Sequence, residues 1–528
     1  MSVKIQFCGA AGTVTGSCYW FRTPKRQFLV DCGLFQGSKT VKELNYGAFP
    51  FKPEEIDFVF LTHAHTDHAG LLPKLTKLGF KGEIFMTSGS RDLLSYMLPD
   101  SAHIQESEVK RLNFRNRQRG KPVVEPIYTK EDVENCLQQI NTVSYEKWFE
   151  VSGIQARFWN AGHILGSASI ELKIPDTQEN DEPLHLLFSG DIGPEHKSFH
   201  PDPDAPSDFD YVFCESTYGG RKRTDYTPEQ RRDLLAKEIQ DAMSGGGSLL
   251  IPSFAVERTQ ELLNDLSLLL QSDVIEPTPV FIDSPLAIRV TSVFTDHAQQ
   301  LEDVGSHRGF FNNPSFHFTE SVEESKAIAR FSSGAIILAA SGMCDAGRIR
   351  HHLKNHLWRP QSTILLVGYQ AEGTLGRLLQ QGVEKVKIQG EEIIVRANIR
   401  TLDSYSGHAD GEELLEWVRD RLPVKQRIFL THGNTNALAA MKKTLLETGL
   451  APDKVIIPQL DDCYNLSVIG EQTRQQETVR RIESSSLEKP DWHNDLAQFS
   501  LDVRTALDKA NSDKQRQVIL SRLIKALE

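Results

Sequence analysis

The segment His63-Ala64-His65-Thr66-Asp67-His68 follows directly on the apolar run Ile56–Leu61. Four groups that ligate borderline divalent cations therefore lie within six residues, at the end of what reads as a buried strand. A loop placed there can turn alternate imidazoles toward one ion and the Asp67/His68 pair toward a neighbour. Imidazole with carboxylate suits Zn²⁺, which tolerates an open position for water. Two such ions need ligands from other loops, so the fold must bring several strand ends together.

Three further residues repeat the placement. His163 follows the run Gln155–Trp159, Asp191 follows His185–Phe188, and His432 follows Ile428–Leu430. A lone His or Asp in a loop is ordinarily a turn residue or a satisfied polar group. Beside the His63–His68 cluster these three read as further ligands, and a carboxylate such as Asp191 can bridge two cations. Asp31 ends the run Gln27–Val30 in the same way. It reads instead as an acceptor that orients a ligand imidazole.

The rhythm of the chain divides it. Up to about residue 210 short strands (Gln27–Val30, Ile56–Leu61, Glu83–Met86, Gln155–Trp159, Ser169–Ile174, His185–Phe188) end in polar, Gly-rich loops. Helices are few there; one starts at Lys130, with Thr129 as N-cap and Asp132 at its third position. From Tyr211 strands and helices alternate: Tyr211–Cys214, helix Pro228–Met243, Ser248–Ile251, helix Glu257–Leu270, Val280–Ile282, a helix opened by Ser321 and Glu324, Ala335–Ala339, helix Arg348–Leu357, Thr363–Val367 and helix Thr374–Gln380. Such alternation predicts a parallel sheet with helices on both faces. After about 395 the first style returns, so the α/β segment reads as an insertion. Beyond about 470, one stripe (Leu496, Phe499, Val503, Leu507) and another (Ile519, Leu523, Ile524, Leu527) behind Ser512 and Gln515 predict two amphipathic helices. They would pack on the body or on a second copy, which leaves a homo-oligomer open.

The 528 residues suffice for two to four domains. A net charge of −12 argues against general nucleic-acid affinity, so a polyanion would be held by a local patch or a metal. Seven scattered Cys without a CxxC pair, no charged-then-apolar leader in MSVKIQFCGA and no long apolar run give the expectation of a cytoplasmic protein outside the membrane.

Through the HxHxDH box, His163, Asp191 and His432 the chain resembles the metallo-β-lactamase superfamily. Within it the chain is similar to the β-CASP RNA-processing nucleases. That narrower likeness rests on Glu215 in FCESTYG, Ser341-Gly342-Met343, the segment Gly368–Gly376 (GYQAEGTLG) and His408 in SYSGHAD. It covers about residues 1–460 and implies an α/β fold: a metallo-β-lactamase αββα sandwich (1–210 and 396–465), an inserted β-CASP α/β domain (211–395) and, outside the likeness, a helical C-terminal extension (470–528). It implies two Zn²⁺, one held by His63, His65 and His163, the other by Asp67, His68 and His432, with Asp191 bridging. It also implies that Glu215 pairs with His408.

The activity implied is hydrolysis of phosphodiester bonds in single-stranded or exposed RNA. A metal-bridging hydroxide would attack in line, cutting internally and leaving 5′-phosphate and 3′-hydroxyl ends. Asp67, His408 and Glu215 would be the catalytic residues. His408 would serve the leaving oxygen, and Glu215 would fix its tautomer; otherwise His408 caps the helix before Asp410. Gly373, Thr374, Leu375 and Gly376 open a helix and could seat a phosphate, or form a tight turn; Ser341 could add a hydroxyl. Lys110–Lys121 carries six basic residues and no acidic one. With Arg221-Lys222-Arg223, and with Phe114 or Tyr218 stacking a base, it could contact RNA; as a plain charge run it would be a solvated face. His351, His352 and His356 read as helix surface or substrate contacts. The competing readings are a small-molecule metallo-hydrolase, a redox di-iron protein and an RNA-binding subunit of a processing complex. The large insertion, the imidazole at His65 and the intact ligand set speak against them in turn. Endonuclease against exonuclease mode, the natural RNA and action on DNA stay open.

Overall fold

The computed structural model describes residues 3–175, 182–223, 227–302, 310–331, 333–370, 373–467, 474–475, 480–483, 499, 502–503 and 506–527. Among these residues two sheets face each other. The first has the order 474–475, Cys463–Leu466, Val3–Phe7, Tyr19–Arg22, Gln27–Val30, Phe58–Phe60, Glu83–Thr87, Ile140–Val143. The second runs Val455–Ile456, Val424–Thr431, Phe209–Glu215, Leu184–Phe188, Ala168–Ile174, Ile154–Asn160, Phe149–Val151.

Alternation places the side chains. In Ile154–Asn160, Ile154, Ala156 and Phe158 are buried while Gln155 is exposed, the period-two pattern of a strand. The inward residues of both sheets form one aromatic-rich core, with Phe188 and Phe213 stacked at 4.1 Å and Phe213 and Phe429 at 5.1 Å. Helices Leu72–Lys77, Ser88–Gln118 and Lys130–Leu137 cover the outer face of the first sheet. Gly411–Asp420 and Thr435–Glu447 cover that of the second. The architecture is thus the αββα sandwich that the resemblance implies.

A third, wholly parallel sheet interrupts it, in the order Phe316–Phe318, Val280–Ile282, Ile336–Ala339, Leu249–Pro252, Thr363–Leu366, Asn398–Thr401. Its central strands are buried at every position. Helices lie on both faces, which is why these strands read as continuous apolar runs. Phe209–Glu215, which the rhythm put at the head of the insertion, belongs to the second sheet. Asn398–Thr401, which it put just beyond, belongs to the third.

Sequence reading did not anticipate the helix Ser88–Gln118, whose 31 residues contain Pro99. Only its first half is buried; the second is polar and exposed, so no apolar periodicity announces it. His352 and His356, expected on a helix surface or in contact with substrate, are buried: His352 Nε2 meets Asp283 Oδ2 at 2.7 Å, and His356 Nδ1 meets Ser362 Oγ at 3.1 Å. The helix Asp513–Leu527 forms behind Ser512, but Val518, Leu520 and Ile524 are exposed. Leu496 of the other stripe lies outside the described residues. Among the described residues no helix is long and apolar enough to cross a membrane.

Candidate metal centre

The ligand candidates are carried by strand ends on one rim of the sandwich. Phe58–Phe60 leads into His63–His68, Ile154–Asn160 into His163, Leu184–Phe188 into Asp191 and Val424–Thr431 into His432. Ligand atoms of His63, His65, His163 and Asp191 lie within 4.8 Å of one another, as do those of Asp67, His68 and His432. Asp191 stands between the sets: Oδ2 is 3.5 Å from His63 Nε2 and 3.7 Å from His163 Nε2, while Oδ1 is 3.2 Å from His68 Nε2 and 3.5 Å from His432 Nδ1.

These residues fit cations. His163 Nδ1 donates to the Gly407 carbonyl at 2.6 Å, and His68 Nδ1 donates to Asp31 Oδ2 at 2.7 Å. In their neutral forms each then turns a bare Nε2 inward. Those nitrogens approach others at 3.1 Å (His163 Nε2 to His65 Nδ1) and 3.2 Å (His68 Nε2 to His432 Nε2). Lone pairs facing at that range repel unless a cation or proton lies between them. His63 Nε2 and Asp191 Oδ1 are buried without a hydrogen-bond partner, a condition that metal coordination relieves.

The protonation states divide the same way. Burial drives His63 and His163 well below the ordinary imidazole value and His65 to about 4, which keeps them neutral as ligands must be. Burial opposes charge on His68 and His432 too, but the Asp191 carboxylate, helped by Asp31 and Asp67 respectively, outweighs it and raises both. Burial would raise Asp191; His432, His68 and His63 together hold it well below the usual carboxylate range.

Around this lies a supporting layer. Asp31, with φ 61°, accepts from the Thr62 amide at 2.9 Å, from Ser17 Oγ at 3.0 Å and from His68. His432 also lies in the left-handed backbone region (φ 50°), which costs roughly 1–2 kcal/mol for a residue with Cβ. The Ala10 carbonyl, accepting the His432 amide at 2.7 Å, and the Thr217 hydroxyl, 3.0 Å from His432 Nδ1, hold it there. Thr217 was not singled out in the sequence. Nor were Lys197 and Glu257, which grip the His163 loop: Lys197 Nζ donates to the His163 carbonyl, and Glu257 Oε2 accepts from the Leu165 amide at 3.3 Å.

Glu215 and His408, 193 residues apart, meet at 3.1 Å (Oε1 to Nδ1). Glu215 is buried and also accepts from the amides of Ile192 (2.8 Å) and Thr217 (3.1 Å). The His408 ring lies 4.6 Å from that of His163. It does not cap the following helix: Asp410 does, accepting from the amides of Glu412 and Glu413 at 2.9 and 3.1 Å.

The proposed substrate contacts fare differently. The Leu375 amide donates to Asp345 Oδ1 at 2.9 Å, that of Gly376 to the Met343 carbonyl at 3.0 Å and that of Arg377 to Thr374 Oγ1 at 3.2 Å. With these donors engaged, and a helix of only six residues (Leu375–Gln380), Gly373–Gly376 has the form of the tight turn. A Cβ on Gly376 would lie 1.8 Å from Gln370 Oε1, so that side chain would have to move. Ser341 Oγ accepts from the Ala346 amide at 3.3 Å. Tyr218 is buried against His408 (5.9 Å), so it does not present a free face to a base. Lys222 and Arg223 pair with Glu412 and Glu413 at 2.6 and 3.0 Å.

Known proteins share this organisation. The chain matches the metallo-beta-lactamase superfamily over residues 11–85, the Beta-Casp domain over 259–379 and the Zn-dependent metallo-hydrolase RNA specificity domain over 392–458. It is 35% identical over 446 residues to Ribonuclease TTHA0252 of Thermus thermophilus, a match covering 84% of this chain and 95% of that protein. It is 30% identical over 462 residues to transcription termination factor FttA of Methanothermobacter thermautotrophicus, covering 84% of this chain and 69% of that one. The FttA of Pyrococcus abyssi matches at 30% over 463 residues, covering 82% and 66%. The chain belongs to the β-CASP family of metal-dependent ribonucleases within the metallo-β-lactamase superfamily.

Proposed function

We propose that this chain hydrolyses internal phosphodiester bonds of single-stranded RNA with two Zn²⁺, leaving 5′-phosphate and 3′-hydroxyl ends. The observation that carries the reading is the sharing of Asp191 by two donor sets beside the Glu215–His408 pair. His63, His65 and His163 would hold one ion, and Asp67, His68 and His432 the other. When bound, the pair of ions supplies a water of lowered pKa and positive charge for the phosphoryl oxygens.

The protein's own groups do the rest. Asp31 and the Gly407 carbonyl hold His68 and His163 in the tautomer with a bare Nε2. Glu215 accepts a hydrogen bond from His408 Nδ1–H, which turns Nε2 toward the substrate and stabilises the imidazolium when Nε2 is protonated. That cation is suited to protonate the leaving 3′ oxygen. The unit built on the third sheet, between Glu215 and Leu402, serves as the cover that lays RNA across the rim. Homology to a named ribonuclease over most of both chains supports the same reading.

The test is a 5′-labelled single-stranded RNA on a denaturing gel, with metal content measured in parallel. Internal cleavage that stops under a zinc chelator, returns with Zn²⁺ and is absent in Asp67→Ala is expected. Intact RNA in the presence of zinc-loaded protein overturns the reading, and a mononucleotide product alone overturns the internal mode.

A further inference from the structure

The basic run of the sequence does not stand alone in the fold. Arg111 and Arg115, one helical turn apart on Ser88–Gln118, face Arg350 and His351 at the start of the helix Ile349–His356 and Gln389-Gly390 at the tip of the hairpin Lys385–Ile388/Glu391–Ile394. These six residues line a cavity of about 550 Å³, and no acidic side chain is among them. Three arginines from two parts of the chain 239 positions apart (Arg111 to Arg350) thus line one cavity. No salt bridge involves them among the described residues, and the Arg350 Nε is buried without a hydrogen-bond partner. An anion seated among three arginines is attracted by each of them. Phe114, three positions from Arg111 on the same helix, is 65% exposed. An open aromatic face beside guanidinium groups is the arrangement that holds single-stranded nucleic acid by stacking and phosphate contacts together. In a chain of net charge −12 it is a local positive exception.

Its position matters as much as its charge. The helix begins against the metal-ligand loop: Thr87 Oγ1 and Ser90 Oγ both donate to the Gly166 carbonyl, at 2.6 and 2.9 Å. At 1.5 Å per residue Arg111 and Arg115 lie about 35 and 40 Å further along. A stacked strand rising ~3.4 Å per nucleotide covers that interval in about ten nucleotides.

We propose that Arg111, Arg115, Arg350 and His351, with Phe114, form a second RNA-backbone site, engaged about ten nucleotides from the scissile bond. The proposal rests on the ribonuclease reading and specifies which RNAs the same centre takes: those long enough to reach both places. Length selection is then a property of two helices, Ser88–Gln118 of the sandwich and Ile349–His356 of the inserted unit.

The test compares the full-length zinc-loaded protein with Arg111→Ala/Arg115→Ala, with the triple variant adding Arg350→Ala, and with Arg111→Lys/Arg115→Lys. Steady-state cleavage of 20-nucleotide and 6-nucleotide single-stranded RNAs is measured beside binding of phosphorothioate RNAs of both lengths across a salt series. For the 20-mer we expect KM to rise about tenfold in the double alanine variant, with kcat within twofold. The triple variant's log–log salt slope should be shallower by ~2 at ~0.7 per contact. The 6-mer should not respond, and the lysine variant should keep most of the affinity. Unchanged 20-mer binding, or equal losses for both lengths, overturns the site. Displacement of the RNA by polyglutamate as readily as by unlabelled RNA overturns its assignment to RNA. A wild-type protein that cuts neither RNA yet binds the 20-mer through these arginines would sink the nuclease reading and leave the site standing.

Discussion

His163 Nδ1 donates to the carbonyl of Gly407 at 2.6 Å, across 244 residues of sequence. One bond thereby sets the tautomer of a metal-ligand candidate and anchors the loop that carries His408. The acceptor is a backbone oxygen, so it survives replacement of the neighbouring imidazole.

His408→Ala is therefore expected to keep its zinc, measured by mass spectrometry of the metal, while the cleavage rate falls by about 10²–10⁴. Glu215→Gln should lose part of that factor, because the amide can still accept from Nδ1 but no longer stabilises an imidazolium. Loss of metal in His408→Ala would show that the residue supports the centre rather than the leaving group.

Asp31 should act through His68. Asp31→Ala removes the acceptor that aims the imidazole and strands the Thr62 amide and the Ser17 hydroxyl. A 10–100-fold loss of metal affinity or activity is expected for such an outer partner. Titration with a zinc-competing indicator reads it, and wild-type affinity would refute the role.

Gly33 is required by backbone packing. A Cβ there would lie 1.6 Å from the Asp67 carbonyl oxygen, well inside any real contact. Gly33→Ala must push the His63–His68 loop outward, so it should lower zinc content or yield of folded protein, whereas Gly37→Ala, with open space at its Cβ but a φ of +114°, should cost only local strain.

Glu171 makes a pH prediction away from the metals. It accepts from His185 Nε2 at 2.6 Å and from Arg157 Nε and Trp159 Nε1 at 2.8 Å, tying three strands of the second sheet. Burial would raise its carboxyl, but these donors outweigh it and hold the value at about 2, against an ordinary 4.5. A lowered carboxylate stabilises the fold above the ordinary value, and the contribution is lost as pH falls through about 2. Glu171→Gln should be less stable than wild type by about 2 kcal/mol at pH 7. The gap in melting temperature should narrow between pH 4.5 and 2; a constant gap would refute the linkage.

Several parts of this arrangement were legible before any coordinates. The strand-terminal placing of His63–His68, His163, Asp191 and His432 could be read because the rim repeats one local device, an apolar run handing over to a His or Asp. The helix cap of Thr129 with Asp132 is equally local, and its hydrogen bonds form as the residue types predict. The helix Ser88–Gln118 was missed because its exposed half has no apolar stripe, and Pro99 interrupts its pattern. Between a phosphate seat and a tight turn at Gly373–Gly376 residue types could not choose, because they do not reveal that Asp345 and the Met343 carbonyl take the amide protons of Leu375 and Gly376.

Local chemistry, then, was determined by the sequence alone: which residues can bind a cation, where strands stop, where helices start and that one segment interrupts another. Which groups meet was decided by the tertiary structure. Gly407 on His163 and Glu215 on His408 are contacts across 244 and 193 residues, and Arg111 and Arg350, 239 positions apart, line one cavity. Such contacts depend on strand order and helix direction, which are set by burial of the whole core rather than by any neighbour in the chain.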